Sequence, residues 1–307
     1  AVGTLLTTFA VALTNHSFAA ACAAASLYCI LLITKKNLQT WKIFATAGLT
    51  AGLTAAFDLP ALAWTAAVIG ILAAFDWRKT TCATLPAVLT VFLAAVGTNL
   101  IAHGTAWPPY AYRDTPNLAE TSSTPSHASD SANQWNPDNW YDYRFKMPNG
   151  RVIESYWRSP NGIDRGEPSI TRYAFHATIG HHGIFSLTPI WLLCIPGLCM
   201  MLRRRGEGWQ MLSIAIFAVS MTVVVFYLTR QPWDRNYGGS TSGFRWVFWM
   251  APLWITALTP AADRLSTSKA GSWFLLILLG LSVLSVAAPT WNPWTHPWLY
   301  QFLEQLG

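Results

Sequence analysis

Apolar residues in this chain come in long runs separated by short polar breaks. The runs have the length of helices that cross a bilayer, not of buried strands. In order, the pattern predicts the end of a helix at 1–13 and spans at 17–34, 41–57, 60–76 and 81–101. A hydrophilic stretch follows, and spans resume at 184–202, 208–229, 244–260 and 271–288. Asn15 or Ser17 suits the cap of the second helix. Pro60, just after Asp58-Leu59, suits the first turn of a returning helix. Gly48 and Gly52, four apart, allow a neighbouring helix to come close. The predicted fold class is an all-α polytopic membrane protein with about seven to eight transmembrane helices. Three regions follow: membrane helices over 1–100, a long extracytoplasmic loop over 101–183, and membrane helices with an outer tail over 184–307.

Composition and charge sharpen this reading. Of the 307 residues 52% are hydrophobic and only 11% charged, against about 25% charged in a soluble domain. That excludes an ordinary soluble enzyme and a disordered chain. The net charge of +6 does not point to nucleic acid, because the basic residues form no single run. Half of them fall in short loops between apolar runs: Lys35, Lys36 and Lys42; Arg78 and Lys79; Arg203, Arg204 and Arg205; Arg264 and Lys269. In the predicted span order all four loops share one side, which the positive-inside rule makes cytoplasmic. Asp58, 101–183, 230–243 and the tail after Ala288 then face outward from the cytoplasmic (inner) membrane. All five cysteines lie in apolar runs with no CxxC spacing, so neither a disulfide framework nor a zinc knuckle is expected. The chain opens inside an apolar run, so a missing N-terminal part is expected.

The outer segments carry the candidate chemistry. Residues 115–135 are rich in Ser, Thr, Ala and Pro and read as a flexible linker. Over 140–158, two aromatic-rich runs flank Pro148-Asn149-Gly150, which predicts a small β-hairpin. His176, His181 and His182, with His103 and His16 on the same side, raise a metal site only weakly, since no carboxylate is spaced with them as a ligand. The segment 230–245 (RQPWDRNYGGSTSGFR) concentrates Arg230, Arg235 and Arg245 with Asp234, Tyr237 and a Gly pair. Arginines at a membrane face grip phosphate, and the glycines let backbone approach a ligand. Asp58, ionisable at the end of a span, is either a functional group or the cap of the helix that starts at Pro60.

Four stretches resemble the middle and C-terminal part of multispanning glycosyltransferases of the GT-C type, such as the protein O-mannosyltransferase-like and aminoarabinose-transferase-like enzymes. They are Gly3-Thr4 followed by Thr14-Asn15-His16, the helix-break-return AGLTAGLTAAFDLPALAW (47–64), GHHGIFSLTPIWLLCIPGL (180–198), and YGGSTSGFRWVFWMAPLW (237–254). The resemblance implies inverting transfer of a sugar from a polyprenyl-phosphate donor to an acceptor on the outer face, with no other cofactor. It places Arg245 on the family's Gly-x-Arg position. The family's catalytic acidic residue lies in the first outer loop, and no acidic pair precedes Asp58 here. Either that catalytic part is missing from this sequence, or it lies on a separate chain, or the protein is a non-catalytic relative.

On this reading Arg230, Arg235, Arg245 and Tyr237 hold the donor, and Asp58 and Asp234 are the candidate catalytic carboxylates. Two other classes stay open: a transporter or flippase for a lipid-linked or anionic solute, and a non-catalytic scaffold subunit that presents the outer loop to a partner protein. Midplane charge would favour transport, and the spans carry almost none.

Overall fold

The computed structural model describes residues 3–108, 134–135, 141, 143–204 and 208–306. The predicted linker lies outside the described residues except for Gln134 and Trp135, and Arg205 also lies outside them. The chain forms two compact units, one of 1–91 with 163–307 and one of 92–162.

The first unit is helical. Its elements are α1 (Leu5–Phe9), α2 (Asn15–Lys36), α3 (Trp41–Phe57), α4 (Leu62–Phe75) and α5 (Trp77–His103, which runs on past residue 91). After residue 163 come α6 (Ile170–Thr178), α7 (Ile184–Leu187), α8 (Cys194–Arg203), α9 (Trp209–Leu228), α10 (Ala251–Ser266), α11 (Lys269–Ala287) and α12 (Trp298–Leu306). Among the described residues, four helices are long and apolar enough to cross a membrane: α2, α5, α9 and α11. The rest of the predicted span list needs correction in detail. Among the described residues of 1–13 only Leu5–Phe9 is helical, and Thr14 takes the N-cap position of α2 rather than Asn15 or Ser17.

Prolines explain the other departures. The predicted span 184–202 is broken: α7 stops before Pro189, a 3₁₀ segment covers Pro189–Leu193, and α8 follows. The residue before a proline avoids the helical region, and Ser282 Oγ accepts from the Ile190 amide at 3.1 Å. The span predicted at 244–260 starts as a 3₁₀ segment, Arg245–Met250, and becomes α10 only where Pro252 can occupy the first turn. In α5 a π turn at Thr80–Thr84 leads into Pro86, whose ring nitrogen cannot donate to the carbonyl of Cys82.

Small residues and a few hydrogen bonds hold the bundle, as expected where lipid removes the hydrophobic drive between helices. Ala19, Ala20 and Ala23 of α2 are buried, as are Ala47 and Ala51 of α3, which packs against it. Trp64 Nε1 donates to Ser26 Oγ at 2.8 Å, and Thr65 Oγ1 to the Ala51 carbonyl at 2.8 Å. A Cβ on Gly48 would lie 2.9 Å from the Cα of Thr84, and one on Gly52 3.2 Å from Val91 Cβ. Those two glycines are contact points for the start of α5.

The two ends of the bundle differ chemically. Lys35 Nζ lies 4.1 Å from the centre of the Trp209 ring, and Gly208 turns beside Thr34 and Phe75. Asp76 caps the first turn of α5 and accepts from Lys79 Nζ at 2.5 Å, and that bond holds its carboxyl below the usual range. Cys194 meets Trp254 and Gly197 meets Ala257, so α8 and α10 run in parallel and bring Arg203 and Arg264 to the same end. Asp58, His16 and the segment 230–250 gather at the other.

In the second unit, β1 (Gln134–Trp135), β2 (Tyr143–Lys146) and β3 (Val152–Glu154) form an antiparallel sheet in that order. The register pairs Phe145 with Ile153 and Arg144 with Glu154. Asn149-Gly150 makes the turn, with Gly150 at φ +83°. The predicted hairpin is therefore present, and it gains a third strand from residues assigned to the linker.

The packing makes a stability prediction. A Cβ on Gly197 has no room against the Ala257 carbonyl, whereas one on Gly70 meets nothing within 4 Å. Gly197→Val should destabilise the protein by about 1–3 kcal/mol. Gly70→Ala should be neutral or stabilising by up to about 1 kcal/mol. Thermal unfolding in detergent reads both.

Candidate functional site

The non-helical layer at the Asp58 end is built around 229–250. Arg235 organises it. Its Nε donates to the Arg230 carbonyl at 2.8 Å and its Nη1 to the Pro168 carbonyl at 2.7 Å, while Glu167 N donates back to the Arg235 carbonyl at 3.0 Å. Asn236 follows. Its side-chain oxygen accepts from Gly238 N at 2.9 Å, and its carbonyl accepts from Tyr173 Oη at 2.5 Å and Trp246 Nε1 at 3.0 Å. Gly238 (φ +104°) and Gly239 (φ +81°) then reverse the chain in the left-handed region that glycine tolerates. A Cβ on Gly238 would meet Arg245 Nε at 2.7 Å. Arg245 N closes the turn on the Tyr237 carbonyl at 3.0 Å.

Arg245 is the unusual group of this layer. Its guanidinium lies 4.6 Å from the ring centre of Trp294 and 5.4 Å from that of Trp246. Among the described residues its Nε is buried without a hydrogen-bond partner, and so are the hydroxyls of Thr241 and Ser242. Burial brings its pKa down to about 10, against the pull of Asp164, Tyr227 and Asp58. An apolar groove begins one residue away, lined by Leu5, Ile184, Trp191, Phe244, Phe248 and Trp254.

Asp58 does not cap the turn that follows it. Its Oδ2 lies 2.6 Å from His16 Nδ1, and both side chains are 2% exposed. The His16 and Trp246 rings meet in a T-shaped contact, with centres 5.8 Å apart, and Trp246 stacks on Tyr227.

The histidines form a second cluster. The ring of His176 stacks on that of His181 at 3.8 Å, His182 stacks on Tyr237 at 4.2 Å, and His296 stacks on Tyr300 at 4.4 Å. His181 Nδ1 and His182 Nδ1 are in contact, and the Phe244 amide donates to the His182 carbonyl at 3.1 Å. Burial, aided by the neighbouring imidazoles, lowers His181 to about 4 and His182 well below its ordinary value. The same burial pushes the hydroxyls of Tyr173 and Tyr237 up. Apart from the one nitrogen contact between His181 and His182, ring packing holds the cluster together. No group of three or more His, Cys, Asp or Glu among the described residues is placed to hold a metal ion.

The predicted site residues therefore divide. Arg245, Asp58 and Tyr237 join one neighbourhood. Arg230 pairs with Asp234 within its own loop, so that carboxylate is already neutralised. Arg235 is spent on carbonyls, and His176, His181 and His182 pack with Tyr237. The sequence reading did not assign roles to His16, Asp164, Trp246, Trp294, His296 or Tyr300. His16 carried one signal, its place with the outer histidines. No protein-family model matches the chain, and no curated protein or solved structure is significantly similar to it.

The buried imidazoles imply an acid-labile fold. In the unfolded chain they take up protons near pH 6.5, and in the fold they resist it. Their contribution is complete above about pH 6.5 and is lost as pH falls toward 4. Thermal unfolding across that range should show falling stability, and His182→Phe should flatten the curve. Superimposable curves would remove the histidines as the cause.

Proposed function

We propose that the protein is an integral membrane protein that binds a polyprenyl-phosphate-linked sugar at this site and transfers the sugar, with inversion, to an acceptor at the outer face. The observation that carries this is Arg245. A buried donor without a partner is costly, and among the described residues the Nε of the half-buried Arg245 has no acceptor. A phosphate would satisfy it. The adjoining apolar groove suits the start of a polyprenyl chain. Trp246 and Trp294 flank the cation, and the exposed Trp294 ring is the one a sugar can meet. On this reading Arg245 stabilises the departing phosphate, and Asp58 is the carboxylate left for chemistry, since Arg230 neutralises Asp234.

The reading also commits to a topology. The shorter segments α3, α4, Pro189–Arg203 and α10 cross with the four long ones, which makes eight membrane segments in the cytoplasmic membrane. The end rich in Lys and Arg faces the cytoplasm, and the Arg245 layer faces outward.

Binding tests the proposal. Undecaprenyl phosphate added to the protein in nanodiscs should change the emission of the tryptophans around Arg245. Arg245→Ala should weaken that binding about 10–100-fold, the worth of a charge-assisted contact. Arg235→Ala should act differently and lower the unfolding temperature, because three loop contacts go with it. Equal binding by wild type and Arg245→Ala would overturn the assignment.

A further inference from the structure

We infer that His16 is the general base of this site and that Asp58 is its positioning residue, an inference that rests on the phosphate-sugar reading above. The two belong to different helices, 42 positions apart, and meet at 2.6 Å in a buried setting. A simple tether between the start of α2 and the end of α3 does not need them. Asn15 Nδ2, one residue away, already donates to the Phe57 carbonyl at 2.9 Å. Asp58 also leaves the following turn uncapped, although its backbone has the N-cap conformation. Its carboxylate is instead aimed at the imidazole.

That aim has a chemical consequence. A carboxylate accepting from Nδ1–H keeps the proton on that nitrogen and leaves the lone pair on Nε2. Nε2 of His16 has no hydrogen-bond partner among the described residues. Trp246 connects this base to the phosphate cradle: its ring centre is 5.8 Å from that of His16 and 5.4 Å from the Arg245 guanidinium. The charged groups around this space are Asp58, Asp164 and Arg245.

The step balances with these groups. The acceptor hydroxyl gives its proton to His16 Nε2, and its oxygen bonds to the anomeric carbon on the face opposite the phosphate. The bond from that carbon to the phosphate oxygen breaks, and its electron pair stays on the phosphate held by Arg245. The imidazolium then releases its proton to water.

The test uses the whole chain in nanodiscs, with undecaprenyl phosphate as the binding probe. A panel of radiolabelled undecaprenyl-phosphate hexoses with membrane extract as acceptor reads transfer. His16→Gln should bind undecaprenyl phosphate within about twofold of wild type and lose transfer by about 10²–10⁴-fold. The little that remains should lack the acid limb of the pH–rate profile. Asp58→Asn should shift that limb, and Asp58→Glu should restore part of the rate. Wild-type transfer by His16→Gln would overturn the base assignment and leave the phosphate site standing. Binding without transfer in the wild type would instead overturn the transferase reading, and this inference with it. Should His16→Gln fail to fold, an unmoved acid limb in Asp58→Asn overturns the pairing.

Discussion

Main-chain amides and carbonyls that leave a helix near a membrane need partners inside the protein, because the hydrocarbon offers none. The Asp58 end of the bundle is a thick layer of such non-helical chain, and Arg235 is what allows it. One buried guanidinium reaches carbonyls of Arg230, Glu167 and Pro168. It thereby locks the exit of α9 to the approach of α6. The Asn236 turn, the Gly238-Gly239 reversal and the placement of Arg245 all follow from that anchor. Two arginines ten residues apart thus have opposite roles: one has its donors filled by the backbone, and the Nε of the other has no partner among the described residues.

The interruptions of the helices have a common origin. Pro60 and Pro189 each mark a place where an apolar run could have continued as helix and instead opened into a 3₁₀ segment, and Pro252 marks where the 3₁₀ segment 245–250 gives way to helix. Two of these openings, at 189–193 and 245–250, border the apolar groove beside Arg245. The breaks cost regular hydrogen bonds, and side chains such as Ser282 repair part of the loss. What they provide is backbone that turns Phe244, Arg245 and Trp246 toward one space.

Hydropathy made α2, α5, α9 and α11 legible, because an apolar run of that length has few alternatives. The hairpin was legible in Asn149-Gly150. The short helices α6 and α12 were not, since nine residues carry too little periodicity and α12 lies in a Pro- and Trp-rich tail. The candidate site was legible in part. Arg245 stood out by its glycine neighbours. Its difference from Arg235 and Arg230 did not, because nothing local tells which guanidinium will meet carbonyls. His16 with Asp58 was out of reach for the same reason: the contact joins two helix ends, and neither end carries a local motif for the other.

The tail packing implies an order of assembly. Trp294 faces Arg245 and Phe9, Pro293 accepts from Ser242, and Tyr300 meets His181 and His296. These contacts come from chain that follows α11. In the order of synthesis, α2 to α11 emerge before the residues that close this layer. A chain arrested before residue 294 would lack Trp294 and Tyr300, so the surroundings of Arg245 and His181 are completed only after α11.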